Sequence, residues 1–392
     1  MTAAPRILHL AVEYNDPTRP RTTPAVERLV EALDARGAEN VVISMMRTTG
    51  PRAEFLRDLG PLGPARVFAM RYFGLPFGAG LDRSMGRAAD RIAKALEAVG
   101  IVPDAVHSHK FAFEGLAGDR LAKRWGVPHL ASLRGEVETK VFRHKPLYRP
   151  RLRRIAADAA RLYHVSPWFK DEFHLHVPAL ETERPLPNTV RNVSPTIAPR
   201  PPGNRFVSIM NLDIPEKKGL PTLLKGLARA AERMPDLALD IIGGGSDDAV
   251  STAHTLAERY GVSERTHFLG TMPNAEVLAR LPDARALLLP SLNETFGMVY
   301  VEALFAGVPV LHTVGTGIDG WLDGLDVSIA VPPRDAEAVA DAIETFDRDA
   351  DAYRERLAAA APELYYRFDP ERHADEYMAD LRALLVPASR AA

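Results

Sequence analysis

The sequence predicts two α/β domains of the Rossmann-like kind, and three observations predict it. Short apolar runs alternate with amphipathic helical stretches along most of the chain, the pattern of parallel sheets covered by helices. The 392 residues suffice for two domains, each with its own core. Midway, a stretch rich in proline (Pro185, Pro187, Pro195, Pro199, Pro201 and Pro202) carries few periodic apolar residues and reads as the crossing between them.

The elements follow in order. Ile7 to Val12 reads as a strand. Val26, Leu29, Val30 and Leu33 recur at helical spacing, with Thr23 as expected N-cap, Pro24 at the first helical position and Gly37 at the end. Val41 to Met45, Ala105 to Ser108, His129 to Leu133 and Tyr163 to Ser166 read as strands, with helices ending near Trp125-Gly126 and covering Trp168 to Phe173. The second half restarts with a strand at Phe206 to Met210 and a helix from Leu220 to Met234, stopped by Pro235. Strands at Leu237 to Ile242, Thr266 to Leu269, Ala286 to Leu289 and Val308 to Leu311 follow, with helices at Ala249 to Tyr260, Glu337 to Phe346 and Glu371 to Leu385.

Composition narrows the class. With no cysteine, the chain has neither a disulfide framework nor a thiolate metal site, which favours a cytoplasmic protein. No apolar run approaches the roughly 18 residues of a membrane span, and the N-terminus lacks a signal pattern. Net charge is −2, yet residues 1–200 hold 31 Lys+Arg against 21 Asp+Glu, leaving 18 against 30 for the remainder. The densest basic run, Lys140 to Arg154, contains no acid and suits an anionic membrane face, a phosphorylated acceptor, or simply solvent. Neither a nucleic-acid motif nor interleaved aromatics accompany it, so no nucleic-acid partner is expected.

The most informative segment runs from Leu289 to Val310 and carries Glu294 and Glu302 eight positions apart around a helix start. A carboxylate in the strand-exit loop can reach a bound sugar. One within the helix can accept two hydrogen bonds from a ribose diol. Free N–H groups near Phe296, Gly297 and Met298 can face a diphosphate. Upstream stand Met210-Asn211-Leu212, Glu216-Lys217-Lys218-Gly219, Ile241-Ile242-Gly243-Gly244-Gly245 and Phe268-Leu269-Gly270; Val331-Pro332-Pro333-Arg334-Asp335 lies downstream. In this order and spacing they closely resemble the second domain of retaining GT-B glycosyltransferases of family 4, the group 1 glycosyl transferases.

The resemblance implies a GT-B fold: two Rossmann-like domains facing a cleft, residues 1–195 on the acceptor side, 196–368 binding the nucleotide-sugar, and a C-terminal helix in 369–392 crossing back to the first domain. It implies Lys218, or its neighbour Lys217, as the cation at the departing diphosphate, Glu294 at the donor sugar, Glu302 at the ribose, and Gly243 and Gly244 where the backbone approaches the nucleotide. Asn211 stands where the family usually has an arginine, and can bond a phosphate without adding charge. In the first half, His109 ends a strand in the family's manner and Arg134 stands where histidine is common; both could line the donor sugar or acceptor. The glycine pair often found in the first loop is absent. Gly317-Ile318-Asp319-Gly320 replaces the family's Gly-Ile-Pro-Glu, so the glutamate's role is unneeded or met by Asp319. The D-x-D strings of Asp347 to Asp351 read as a solvated helix face.

The expected activity is transfer of a hexosyl group from a UDP- or GDP-sugar to a saccharide or lipid-diphosphate-linked acceptor, retaining configuration, in surface polysaccharide or glycan assembly. No metal or other cofactor is expected, and the expected location is cytoplasmic or peripheral at the inner membrane face. An inert sugar-nucleotide-binding or scaffolding protein of the same fold is the alternative. A dehydrogenase is a third reading, disfavoured because the glycine triplet lacks the full dinucleotide fingerprint.

Overall fold

The structure is a computed structural model and describes residues 4–20, 22–198 and 200–386. They form two compact units: the chain up to Val165 with Phe169–Thr189 and everything from Pro370 on, and Val190–Asp369 with Ser166–Trp168.

Unit 1 contains, in order, β1 (Arg6–Ala11), α1 (Ala25–Asp34), β2 (Glu39–Thr48), β3 (Phe55–Leu62), β4 (Ala65–Phe73), α2 (Leu81–Ala98), β5 (Ala105–Ser108), α3 (Glu114–Trp125), β6 (His129–Leu133), α4 (Glu136–His144), α5 (Arg149–Asp158), β7 (Arg161–His164), α6 (Trp168–His174) and β8 (Glu183–Pro185). The sheet order is β3-β4-β2-β1-β5-β6-β7-β8, parallel throughout except for β3 against β4. Its central strands are apolar on both faces, as a sheet covered by helices requires: Ile7, Leu8 and Leu10 are fully buried. The order reverses between β1 and β5, so the loops leaving those two strands diverge and open a crevice.

The β3–β4 hairpin and α2 carry no sequence expectation. Asp58, Gly60 and Pro61 break the alternation of β3, and a register shift between Asp58 and Gly60 accommodates them. Thr23 does not cap α1; Pro24 itself occupies the N-cap position and no side chain bonds the helix start. The strand expected at 163–166 ends at His164, leaving Ser166 in the loop beyond it.

Unit 2 contains β9 (Arg205–Ile209), α7 (Leu220–Ala231), β10 (Leu239–Ile242), α8 (Asp247–Arg259), β11 (Thr266–Gly270), α9 (Asn274–Arg280), β12 (Ala284–Leu288), α10 (Met298–Phe305), β13 (Val310–Thr313), β14 (Ser328–Val331), α11 (Ala336–Arg348) and α12 (Ala350–Phe368, with Pro362 inside it). Its all-parallel sheet has the order β11-β10-β9-β12-β13-β14. Counting strands within the unit, this is the doubly wound order 3-2-1-4-5-6, whose reversal between β9 and β12 marks the ligand crevice of such sheets.

The last helix, α13 (Pro370–Leu385), belongs to unit 1. Ala374, Tyr377, Met378 and Leu381 complete an apolar cluster with Ile7, Leu29, Leu33, Leu130 and Tyr163. Arg36 bonds Glu371 at 2.9 Å and Asp375 at 2.6 Å, and Arg161 bonds Asp380 at 3.0 Å. The C-terminal helix thus returns to the first domain.

Candidate active site

In unit 2 the crevice is bounded by the loops leaving β9 and β12, where the sequence placed its strongest candidates. After β9, exposed Asn211 accepts the Asp213 N–H at its Oδ1 (2.8 Å), and Asp213 accepts the Ser246 N–H (2.7 Å). Gly243 stands beside this turn with φ at +138°, and a Cβ there would lie 1.8 Å from the Met210 carbonyl oxygen. At Gly244 a Cβ would lie 2.3 Å from Thr271 Oγ1. The ends of β9 and β10 therefore meet backbone to backbone at Gly243, at a distance only glycine permits, and Gly244 packs under the Thr271 side chain.

Lys218 and Glu294, 76 positions apart, form an ion pair at 2.5 Å, each side chain 18% exposed. Both ends are held. Gly219 has φ +74° and lies so close to Pro290 that a Cβ would meet its carbonyl oxygen at 1.9 Å. The Leu292 N–H (2.8 Å) and the Ser291 hydroxyl (3.1 Å) donate to the Lys217 carbonyl, joining the two loops. Glu294 donates its N–H to Thr316 Oγ1 (2.7 Å), and its carbonyl accepts from the Thr316 hydroxyl (2.9 Å) and the Gly317 N–H (2.8 Å). Thr316 and Asp213 were not anticipated. The only sequence signal for Thr316 is its place between two glycines just after a strand.

Gly297, at φ +74°, is the N-cap of α10, where a Cβ would meet the Tyr300 ring at 2.4 Å. Met298 begins the helix and Glu302 lies in its second turn, partly exposed. Phe296 is fully buried with its ring edge-on to Phe368, so its side chain belongs to the core and only its backbone is available to a ligand.

In unit 1, His109 and Arg134 come together, also at the sheet's reversal. Arg134 donates from Nε to the His109 carbonyl (2.8 Å) and from Nη1 to Asn188 Oδ1 (3.0 Å), and is 5% exposed. The His109 ring, 1% exposed, stacks on His107 and bonds His9 through Nε2 (3.1 Å). Asn40 directs its amide N–H groups at backbone carbonyls, so its Oδ1 accepts from His9 Nε2. His9 Nδ1 then accepts from His109 Nε2–H, and His109 Nδ1 is left a bare, unpartnered lone pair. Burial pushes His9 down to about 4 and holds His107 and His109 well below the ordinary histidine range. Next along the chain, Lys110 bonds Glu13 at 2.6 Å. Burial acts to raise the Glu13 carboxyl, but Lys110 and Arg134 outweigh it and hold the group below its usual range.

Among the described residues, two side-chain sets have the composition of metal ligands: His9, His107 and His109, and His164, His174 and Glu183. In the second, both imidazoles are hydrogen-bonded to Glu183 at 2.8–3.1 Å. The acidic strings at the end of α11 are engaged otherwise, Asp347 with Arg285 at 2.6 Å and Asp349 with Arg348 at 2.8 Å.

Gly320, where the resembled pattern has glutamate, has φ +82°, and a Cβ would come within 2.8 Å of Pro167. Asp319 accepts the Gly315 N–H (2.7 Å) and so braces the turn after β13. Within the basic run, Arg149 donates to the Phe142 carbonyl, Arg151 pairs with buried Asp119 and Arg153 donates to the His176 carbonyl. Arg143 and Arg154 are exposed without a partner among the described residues, and Leu147 between them is 91% exposed. Among the described residues, no helix is long and apolar enough to cross a membrane.

Comparison with known proteins agrees with this geometry. Residues 198–364 match the profile of glycosyl transferases group 1, and residues 22–189 that of the glycosyl transferase 4-like domain. The chain is 31% identical over 189 residues to phosphatidyl-myo-inositol mannosyltransferase of Mycobacterium leprae, covering 47% of this chain and 49% of that protein, so the match spans about half of that relative's length. It is 27% identical over 386 residues to glycogen synthase of Mycobacterium tuberculosis, covering 93% and 91% of the two chains. Among solved structures, sucrose-phosphate synthase from Thermosynechococcus elongatus superimposes with a TM-score of 0.74 at 19% identity, over 97% of this chain and 99% of that one. The chain belongs to the group 1 glycosyltransferases and has their GT-B fold.

Proposed function

We propose that the chain moves a hexosyl group from a UDP- or GDP-sugar to a saccharide or lipid-linked acceptor with retention of configuration, in polysaccharide or glycan biosynthesis. The observation that carries this reading is the Lys218–Glu294 pair at the reversal of the unit 2 sheet, beside the glycine-lined backbone. When the bond from the anomeric carbon to the diphosphate breaks, negative charge grows on the departing phosphate. Lys218, released from Glu294, and the N-terminus of α10 neutralise it there, and such preorganised charge is commonly the largest catalytic contribution. Glu294 then turns to the sugar hydroxyls and the positive charge developing at the anomeric carbon, while Glu302 accepts from the ribose diol. Departure and attack on one face of the sugar give retention without a covalent glycosyl-enzyme.

In this reading unit 2 holds the donor and unit 1 the acceptor. No metal ion is required, since Lys218 and backbone N–H groups supply the positive charge. Peripheral contact with the inner face of an anionic membrane belongs to the same reading, through Leu147 with Arg143 and Arg154. The test is a thermal-shift panel of UDP, GDP, ADP and TDP and their sugar conjugates, with and without EDTA. A selective rise for one nucleotide, unchanged by EDTA, is expected and names the donor. No rise for any of them would favour an inert scaffold, for which the uncharged Asn211 is the supporting observation.

A further inference from the structure

A cavity of 390 Å³ opens in unit 1 beside the carboxyl ends of β1, β2 and β4. That is where ligands of parallel sheets bind, and its size is that of a small-molecule site. Its walls are largely apolar, with Met45, Tyr72, Leu81 and Phe113 among them. Four cations, Arg19, Arg47, Lys110 and Lys145, also line it, and no carboxylate does among the described lining residues.

Only Lys110 is neutralised, by Glu13. The other three engage only carbonyls of the cavity's own edge: Arg19 that of Met45 (3.2 Å), Arg47 that of Leu75 (3.4 Å) and Lys145 that of Gly78 (3.3 Å). Arg19 Nε is buried with no hydrogen-bond partner among the described residues. Arg19 and Lys145 are half-buried beside the apolar wall and Arg47 is exposed at its edge; none has a charge-assisted partner among the described residues, which an arriving anion would supply.

We propose that this cavity is the acceptor subsite and takes a phosphate ester of an apolar alcohol, an inference that rests on the glycosyltransferase reading. The phosphate is held by Arg19, Arg47 and Lys145, and the apolar portion lies on Met45, Tyr72 and Leu81. Three cations exceed what one carboxylate would balance, whereas a phosphate brings about −1.5 to −2 charges and three acceptor oxygens. A free saccharide would need many hydroxyl partners, and these walls offer chiefly Ser84 and the Tyr72 hydroxyl.

Calorimetry on the full chain with farnesyl phosphate, inorganic phosphate and octyl glucoside tests this. Farnesyl phosphate is expected to bind at least tenfold more tightly than either of the others. Arg47→Ala and Lys145→Ala, made separately so that neither depends on the other folding, are each expected to weaken it about tenfold, the scale of a lost charge-assisted bond. Equal binding of inorganic phosphate would overturn the amphiphile, and unchanged affinity in both variants would overturn the site. The nucleotide panel on the same wild-type protein reports separately: farnesyl phosphate binding with no nucleotide shift would sink the donor reading and leave this cavity standing.

Discussion

Lys218 Nζ lies 2.5 Å from Glu294 Oε2, so the two charges given the largest share of the proposed chemistry hold each other. In the proposed mechanism a bound diphosphate competes for the lysine and a bound sugar for the glutamate, so both act only once released from each other. Lys218→Ala is therefore expected to lower turnover about 10²- to 10³-fold, with a smaller effect on nucleotide affinity. Steady-state kinetics with the donor from the nucleotide panel checks it, and wild-type rates would transfer the role to Lys217.

Glu302→Ala should weaken nucleotide binding about tenfold, since a carboxylate accepting from a diol makes charge-assisted hydrogen bonds. Titration of nucleotide into the variant measures this. Unchanged affinity would remove Glu302 from the ribose, leaving it a solvated residue of α10.

Restoring the family's glutamate at position 320 should not help. Gly320→Glu places a side chain at φ +82° and against Pro167, and is expected to cost about 2–3 kcal/mol and lower the melting temperature. A variant as stable as the parent, with higher activity, would show that this turn rearranges to accept it.

Stability should peak near neutrality. His9 and His129, each pushed down to about 4 by burial, and His107 and His109, held by burial well below the ordinary histidine range, stay neutral in the fold. The unfolded chain takes up their protons first, near the ordinary value of about 6.5. Their contribution is therefore complete above that pH and is lost as pH falls toward 4. Burial pushes Glu114 up to about 8 and raises Glu138, so these two work the other way, and their stabilisation is lost as pH rises toward 8. Four imidazoles outweigh two carboxyls below 6.5. Urea midpoints at pH 4.5, 6.5 and 8.5 should be highest at 6.5, and a steady climb on acidification would refute the neutral histidine cluster.

In the proposed membrane contact, retention should depend on Arg143, Arg154 and Leu147 rather than on Arg151, which is tied to Asp119. Arg143→Glu with Arg154→Glu is expected to weaken sedimentation with anionic vesicles by about 1 kcal/mol per charge removed. Retention that does not change would make the run a solvated face.

What the sequence showed, it showed through period and glycine. The parallel strands of unit 2 are short apolar runs between helices, and their spacing alone locates most of them within about two residues. Gly243 was legible because a backbone contact restricts residue type, whereas the roles expected of Glu294 and Glu302 rest on the resemblance and on their places in the loop after β12 and in α10. The β3–β4 hairpin was not, since Gly60 and Pro61 erase its alternation, and α12 was obscured by Pro362. Thr316 bracing Glu294 has only its flanking glycines as a local signature and the bare Nδ1 of His109 has none; both arise from residues that only the fold brings together.

The placement of α13 in unit 1 has a consequence for biosynthesis. The apolar cluster that seals unit 1 needs Tyr377, Met378 and Leu381, which are synthesised only after residues 190–369. Until then Ile7, Leu29 and Leu33 lack that part of their cover, whereas residues 190–369 are contiguous and precede α13 in the chain. The later-made half is thus the one that finishes first. A chain stopped before Pro370 would strand the earlier half with an open apolar face, and chaperones or proteases would engage it there.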